Sequence, residues 1–229
     1  SNGLMTYALG TDVKSYRITT SFRLTPKSVG LTGLFYDNSL SSVQKEKVEF
    51  PLCKSSHFFP ADGGTLLYHV EGAIDSVCSK NALNTMMTIV SEIEENYPNR
   101  SIAIISPFRE TIQKIQKEFY YQHQKLDITV ETIDRIQGMT VDYAIIYYPL
   151  RNISFAMSEN RFNVATSRSR STTLIISDIP LEGMNSISGK VSEYLKACDS
   201  IISQSGEKHI YKTQFPIEGR IMEIKVDSE

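Results

Sequence analysis

Tryptophan is absent from this 229-residue chain, and cysteine occurs only three times, at Cys53, Cys78 and Cys198. An odd number of widely spaced thiols with no C-x-x-C pair builds neither a disulfide framework nor a zinc cluster. The four histidines (His57, His69, His123 and His209) show no ligand spacing either. The expectation is therefore no metal site and a reducing, cytoplasmic compartment. No apolar run approaches the roughly 18 residues of a bilayer span, and no basic-then-apolar signal opens the chain. A surplus of positive charge is also lacking: 24 Lys and Arg stand against 26 Asp and Glu, for a net charge of −2 and a pI near 6.1. Any nucleic-acid partner must then be met by a local patch or a shared groove rather than by a global field. The most informative absence is the phosphate-binding loop G-x-x-x-x-G-K-[ST], which occurs nowhere. Without it the chain cannot cradle a triphosphate alone.

What is present is a globular composition, 41% hydrophobic and 22% charged, enough for one core of ordinary size. Residues 1–60 are irregular in pattern and read as an entry segment. The opening Ser1-Asn2-Gly3 has the look of a tag remnant, and the whole reads as a piece of something longer. From Gly64 apolar strands alternate with amphipathic helices. The periodicities predict strands at Thr65–Val70, Ile102–Ile105, Asp127–Glu131, Tyr143–Tyr148 and Thr172–Ser177. They predict helices at Asn81–Asn96, Phe108–Gln122, Ser158–Arg170 and about Gly189–Ile202. Such alternation implies an α/β domain over residues 61–204, with a mostly parallel sheet and helices on both faces. A tail at 205–229 could add two short strands as an edge hairpin.

In a parallel sheet, ligands gather at the C-terminal strand ends. After Ile105 come Ser106, Pro107, Phe108 and Arg109. Ser106 suits an N-cap and Pro107 a first helical position, which would open a helix toward an anion; a plain capped helix is the alternative. After Glu131 come Thr132 and Asp134, both able to cap backbone N–H groups. Gln137 there suits the positioning of a water or phosphate oxygen, and Gly138 allows close backbone approach. A simple Asx-type turn is the alternative. The predicted helix Ser158–Arg170 would place Arg161 and Arg168 two turns apart on nearly one face, with Arg170 pointing almost opposite. Half-buried arginines suit phosphate, although a solvated salt-bridged face has the same spacing.

The order of these segments resembles the second, C-terminal RecA-like domain of superfamily 1 helicases, in the branch containing the nonsense-mediated-decay RNA helicase and its DNA-acting relatives. Thr20 to Pro26 followed by Leu34 to Leu40 resembles the family's Q-Y-R-M-x-P…F-Y-x-x-x-L. Ile104 to Phe108 is similar to I-T-P-Y, and Thr132 to Gly138 plus Asp142 to T-V-D-x-x-Q-G-x-E-x-D. Arg161 to Arg170 resembles R-L-N-V-A-L-T-R-A-R. The resemblance implies a RecA-like three-layer sandwich that works with ATP and Mg²⁺, held mainly by a first RecA-like domain, on single-stranded DNA or RNA. It implies that Phe22 stacks on adenine, Arg23 approaches the phosphates, Gln137 senses the γ-phosphate and Arg168 is the arginine finger. Gly138 and Thr140 would adjoin the nucleotide, while Ser106, Pro107, Phe108, Arg109 and Thr132 would line the strand track. Three positions depart from the pattern: Ser21 replaces glutamine, Met139 an arginine, and Thr140 a ribose-binding glutamate. A non-hydrolysing nucleotide or nucleic-acid binding module and a pseudo-helicase scaffold are the competing readings.

Overall fold

The computed structural model describes residues 20–21, 41–42, 48–70, 72, 75–122, 127–178, 181, 187–204, 208–217 and 220–228. Side chains are described within 48–70, 72, 75–120, 127–178, 181 and 187–201. Near the start, β1 (Thr20–Ser21) pairs in parallel with β2 (Ser41–Ser42). The main sheet then takes β3 (Gly64–His69), β4 (Ile102–Ser106), β5 (Ile128–Thr132), β6 (Val141–Tyr148), β7 (Ser169–Ser177) and β8 (Asp199–Gln204). These six are parallel, in the order β8-β3-β7-β6-β4-β5. An antiparallel hairpin of β9 (Lys208–Ile217) and β10 (Arg220–Ser228) extends the sheet beyond β8.

The strands follow from continuous β-branched and aromatic runs, as a sheet covered on both faces requires. Along β6 the period of two sorts the residues cleanly. Tyr143, Ile145 and Tyr147 face one core, while Ala144, Ile146 and Tyr148 face the other. The first core is closed by helix α1 (Lys80–Asn96), through Ala82, Met86, Ile89, Val90 and Ile93, and by helix α2 (Arg109–Gln122), through Ile112, Ile115 and Phe119. The second is closed by the short α3 (Ile153–Ala156), by α4 (Glu159–Thr166) with Phe162, Val164 and Ala165, and by α5 (Gly189–Ala197) with Val191, Tyr194 and Leu195. The result is a RecA-like three-layer α/β domain.

Local chemistry sets the element ends. Ser79 caps α1, its Oγ accepting from the Ala82 N–H at 3.2 Å, and Ser188 caps α5 by accepting from Val191 N–H at 3.3 Å. Gly63 has a φ of +66°, and a Cβ there would run into the Ser171 carbonyl, so only glycine lets the chain enter β3 beside β7. Two predicted elements are corrected. The last helix stops at Ala197 instead of reaching Ile202, because Asp199 onward pairs with β3 as β8; the apolar Cys198 and Ile201 fit a buried strand as readily as a helical stripe. The helix predicted over Ser158–Arg170 ends at Thr166, and β7 begins at Ser169. Among the described residues, no helix is long and apolar enough to cross a membrane.

Candidate nucleotide and nucleic-acid interface

At the C-terminal sheet edge, β4 and β5 end side by side, with Ser106 paired to Thr132. Beyond them lies a cleft of about 390 Å³ whose walls include Pro107, Arg109, Gln113, Thr132 and Arg135, together with the carboxylates of Glu131 and Asp134. Pro107, Arg109 and Thr132 are thus brought together. Ser106 is not: it is fully buried, and its hydroxyl donates to the Tyr147 carbonyl at 2.8 Å, tying β4 to β6. It does not cap α2, whose first residue is Arg109, because its backbone is still in the ladder with Thr132. Pro107 accordingly lies in the turn before α2 rather than at its first position. Thr132 precedes a 3-10 turn, Ile133–Arg135, without capping it by its side chain, which leaves its hydroxyl beside the cleft.

Phe108 is half-buried against the second core, with the Arg151 guanidinium 5.1 Å from its ring centroid. Arg151 also pairs with Glu110 at 2.8 Å. Asp134 makes no cap either; it takes Arg161 at 2.9 Å, and Arg161 lies 4.2 Å over the ring of Phe155.

From Thr132 the chain returns along the second face to the start of β6. Ile133 and Ile136, each 1% exposed, pin this return segment to the core. Gln137 is half-buried, and Gly138 has a φ of +77° with open space around its Cβ position. Here the backbone conformation, not crowding, selects glycine. Thr140 follows, half-buried, next to the first residue of β6.

Arg168 meets this segment from the other side. It is 1% exposed; its Nε donates to the Val164 carbonyl at 2.8 Å, Nη1 to Met139 O at 3.4 Å and Nη2 to Ser167 Oγ at 3.1 Å. Its own carbonyl accepts from the Val141 N–H at 3.0 Å. The helix stops before Arg168 because side chains take over its last carbonyls. Thr166 Oγ1 donates to Phe162 O and Ser167 Oγ to Asn163 O, both at 2.8 Å, and Arg168 takes Val164 O. Arg161 and Arg168 therefore do not share a helical face. Arg161 sits in the first turn of α4, and Arg168 lies in the step between α4 and β7. Arg170 is on β7 and pairs with Asp142 at 3.2 Å, while Asp142 also accepts from the Ser101 N–H at 2.9 Å.

The candidates thus fall into two groups. Pro107, Phe108, Arg109 and Thr132 are at the C-terminal sheet edge. Gly138, Thr140 and Arg168 lie at the starts of β6 and β7, with Gln137 on the segment between the groups. Phe22 and Arg23 lie outside the described residues.

Sequence reasoning missed the residues after β6 and β7, although the rule that selected Ser106 and Thr132 applies to them equally. After β6 come Arg151 and Phe155, ahead of Arg161, which its spacing to Arg168 already singles out. After β7 comes Asp178, 4% exposed, whose carboxylate accepts from Ser79 Oγ at 2.6 Å and Tyr147 OH at 2.7 Å. Burial, reinforced by the Asp178 hydrogen bond, pushes the Tyr147 hydroxyl well above the usual tyrosine range. Burial likewise raises the Cys78 thiol to about 12, so it is an inert packing group.

A parallel six-strand core with helices on both faces, and with strand-end residues in the helicase order, defines a RecA-like domain of the superfamily 1 helicase type. The chain belongs to the AAA domain family, which it matches over residues 4–180. Among curated proteins it is similar to DNA polymerase alpha-associated DNA helicase A of Saccharomyces cerevisiae, 30% identical over 37% of this chain and 13% of that one. It is also similar to helicase sen1 of Schizosaccharomyces pombe, 24% identical over 63% of this chain and 9% of that one. A putative helicase, mov-10-B.2, of Danio rerio is 23% identical over 62% of this chain and 17% of its own length. The chain thus spans less than a fifth of these relatives. A solved C-terminal domain of a possible DNA helicase from Lactobacillus plantarum aligns with a TM-score of 0.42 at 10% identity, over 75% of this chain and 92% of that one.

Proposed function

We propose that this chain is the C-terminal motor domain of an ATP-dependent helicase or translocase acting on single-stranded DNA or RNA. The observation that carries this reading is the return segment 132–140. One end, at Thr132, forms the wall of the strand-edge cleft; the other, at Met139 and Val141, is hydrogen-bonded to Arg168. One short piece of backbone thus joins a place suited to a nucleic-acid backbone with a place suited to a triphosphate, which is the connection a motor requires. ATP brings a transferable γ-phosphoryl group and Mg²⁺ neutralises its charge; a first RecA-like domain would hold both. This chain's share is positive charge and positioning. Arg168 and Arg23 neutralise charge on the phosphates, Gln137 orients a water or phosphate oxygen, and Gly138 lets the backbone approach. Phe22 would hold the base, with Thr140 beside the nucleotide.

The guanidinium of Arg168 points inward, with the Val164 and Met139 carbonyls and the Ser167 hydroxyl among its partners. Closure of the first domain would have to draw it out toward the phosphate, whose charge is a stronger partner than a carbonyl. That burial also favours the competing reading, a module that holds nucleic acid without turnover. The two separate on one measurement: hydrolysis by the intact protein with single-stranded nucleic acid, for the unaltered protein and for Arg168→Lys. Loss of a finger predicts a fall of at least about 10³-fold in turnover with nucleotide affinity changed far less. Near-unaltered turnover rules out the finger, and no turnover in the unaltered protein favours the binding module.

A further inference from the structure

We propose that the segment after β6, carrying Arg151, Phe155 and Arg161, extends the strand-edge cleft into a base-stacking platform for single-stranded nucleic acid, with Phe155 as the ring on which a base stacks. This rests on the reading of the cleft as the strand track.

Four large apolar side chains are prominently exposed among the described residues, and two of them, Leu150 and Phe155, each 45% exposed, lie in this one segment. Single exposed apolar residues are ordinary; these are set among charge in a repeated pattern. Arg161 covers one side of Phe155 at 4.2 Å, and Arg151 covers Phe108 at 5.1 Å. Each pair lies one residue removed from the cleft lining. Arg161 is bonded to Asp134, which lines it, and Phe108 and Glu110 flank Arg109, which also lines it. Asp134 and Arg109, both lining the cleft, thus connect Phe155 and Arg161 with Phe108 and Arg151.

Arginine interleaved with aromatic rings is the chemistry that holds unpaired bases: the ring offers a stacking face and the guanidinium a phosphate partner. The partners now on these arginines do not obstruct that use. Asp134 and Glu110 have side chains 64% and 63% exposed, and ion pairs this open contribute little. A phosphate can replace each carboxylate, two of its oxygens accepting from the guanidinium. The near-neutral chain meets its nucleic acid through these residues without a global basic field.

The test uses the intact protein without nucleotide and two fluorescent probes, a 12-mer of deoxythymidine and a 12-mer of uridine, titrated over a range of salt. Phe155→Ala is expected to weaken binding by about 5- to 100-fold at unchanged salt slope, the range for losing one stacked base, and Phe155→Tyr to restore it. Arg161→Gln is expected to lower the salt slope by about 0.7, as loss of one phosphate contact on a single strand does. If Phe155→Ala binds as tightly as the unaltered protein while Arg109→Ala weakens binding, the platform is refuted and the track stands. If neither variant weakens binding, the track reading falls and the platform with it. If Phe155→Ala leaves strand affinity intact but reduces hydrolysis, the patch meets the protein's own first domain, and the proposal is again refuted.

Discussion

Arg168→Ala separates two pictures of this domain, because the residue expected to reach out is among the largest fully buried side chains of the described residues. Truncation would remove the donors to Val164 O, Met139 O and Ser167 Oγ, leaving carbonyls of the α4 terminus and the return segment without them. Hydrogen bonds from a charged group contribute about 1.5–3 kcal/mol each, and the empty volume adds to the loss. Against this, a buried guanidinium carries a desolvation penalty of several kcal/mol that truncation relieves. The balance is a net destabilisation of about 2–4 kcal/mol, large for a single substitution. Urea unfolding of the chain, followed by far-ultraviolet circular dichroism, measures it through the midpoint at constant slope. Arg168→Met restores much of the volume but none of the donors, so it should recover only part of the loss. If Arg168→Ala unfolds at the unaltered midpoint, the side chain does not occupy this buried position in solution. Arg168 would then already extend toward the nucleotide side, and its inward packing would be refuted.

Ser106→Ala should cost about 1–2 kcal/mol in the same unfolding experiment, because it strips a fully buried hydroxyl from the Tyr147 carbonyl. Its strand affinity should stay unchanged, and a weakened affinity at unaltered stability would return Ser106 to the track. Asp75 is held below its ordinary 3.8 chiefly by the N–H groups of Val77 and then Cys78. A depressed carboxylate contributes stability above the unfolded value, and that contribution is lost as pH falls through the folded value. Asp75→Asn should therefore flatten the acid limb of stability below about pH 4 relative to the unaltered chain, as midpoints at pH 7 and pH 3 would show.

The fold was legible because its signal is redundant. Runs such as Ile102 to Ile105 and Tyr143 to Tyr148 are β-branched or aromatic throughout, and the stripes of α1 and α2 repeat at helical spacing. Where pattern and partner disagreed, the partner won. Cys198 and Ile201 continue the stripe of α5, yet the free edge of β3 takes Asp199–Gln204 as a strand. The register of Arg168 was hidden for a similar reason. Periodicity continues through Ser167 to Arg170, but the hydroxyls of Thr166 and Ser167 close the helix end, and β7 pairs with β6 from Ser169. No single-sequence period encodes a side chain competing with the backbone.

That late turn has a mechanical consequence. Had α4 run on to Arg170, Arg168 would ride a helix face and could move independently of the return segment. As it stands, the backbone of Arg168 is bonded to Val141 and its guanidinium to Met139, so the arginine and the segment behind Gly138 form one unit. Gly138, in a conformation most residues resist, sits between that unit and the half anchored by Ile133 and Ile136. On the proposed reading, a phosphate drawing on Arg168 would act on the return segment at Met139, whose N–H is bonded to the Ile136 carbonyl at 3.0 Å across Gly138, and from there toward Thr132 at the cleft. On the proposed reading, the coupling between the two candidate sites would run through residues 132–140, and a substitution at Gly138 would be expected to change it.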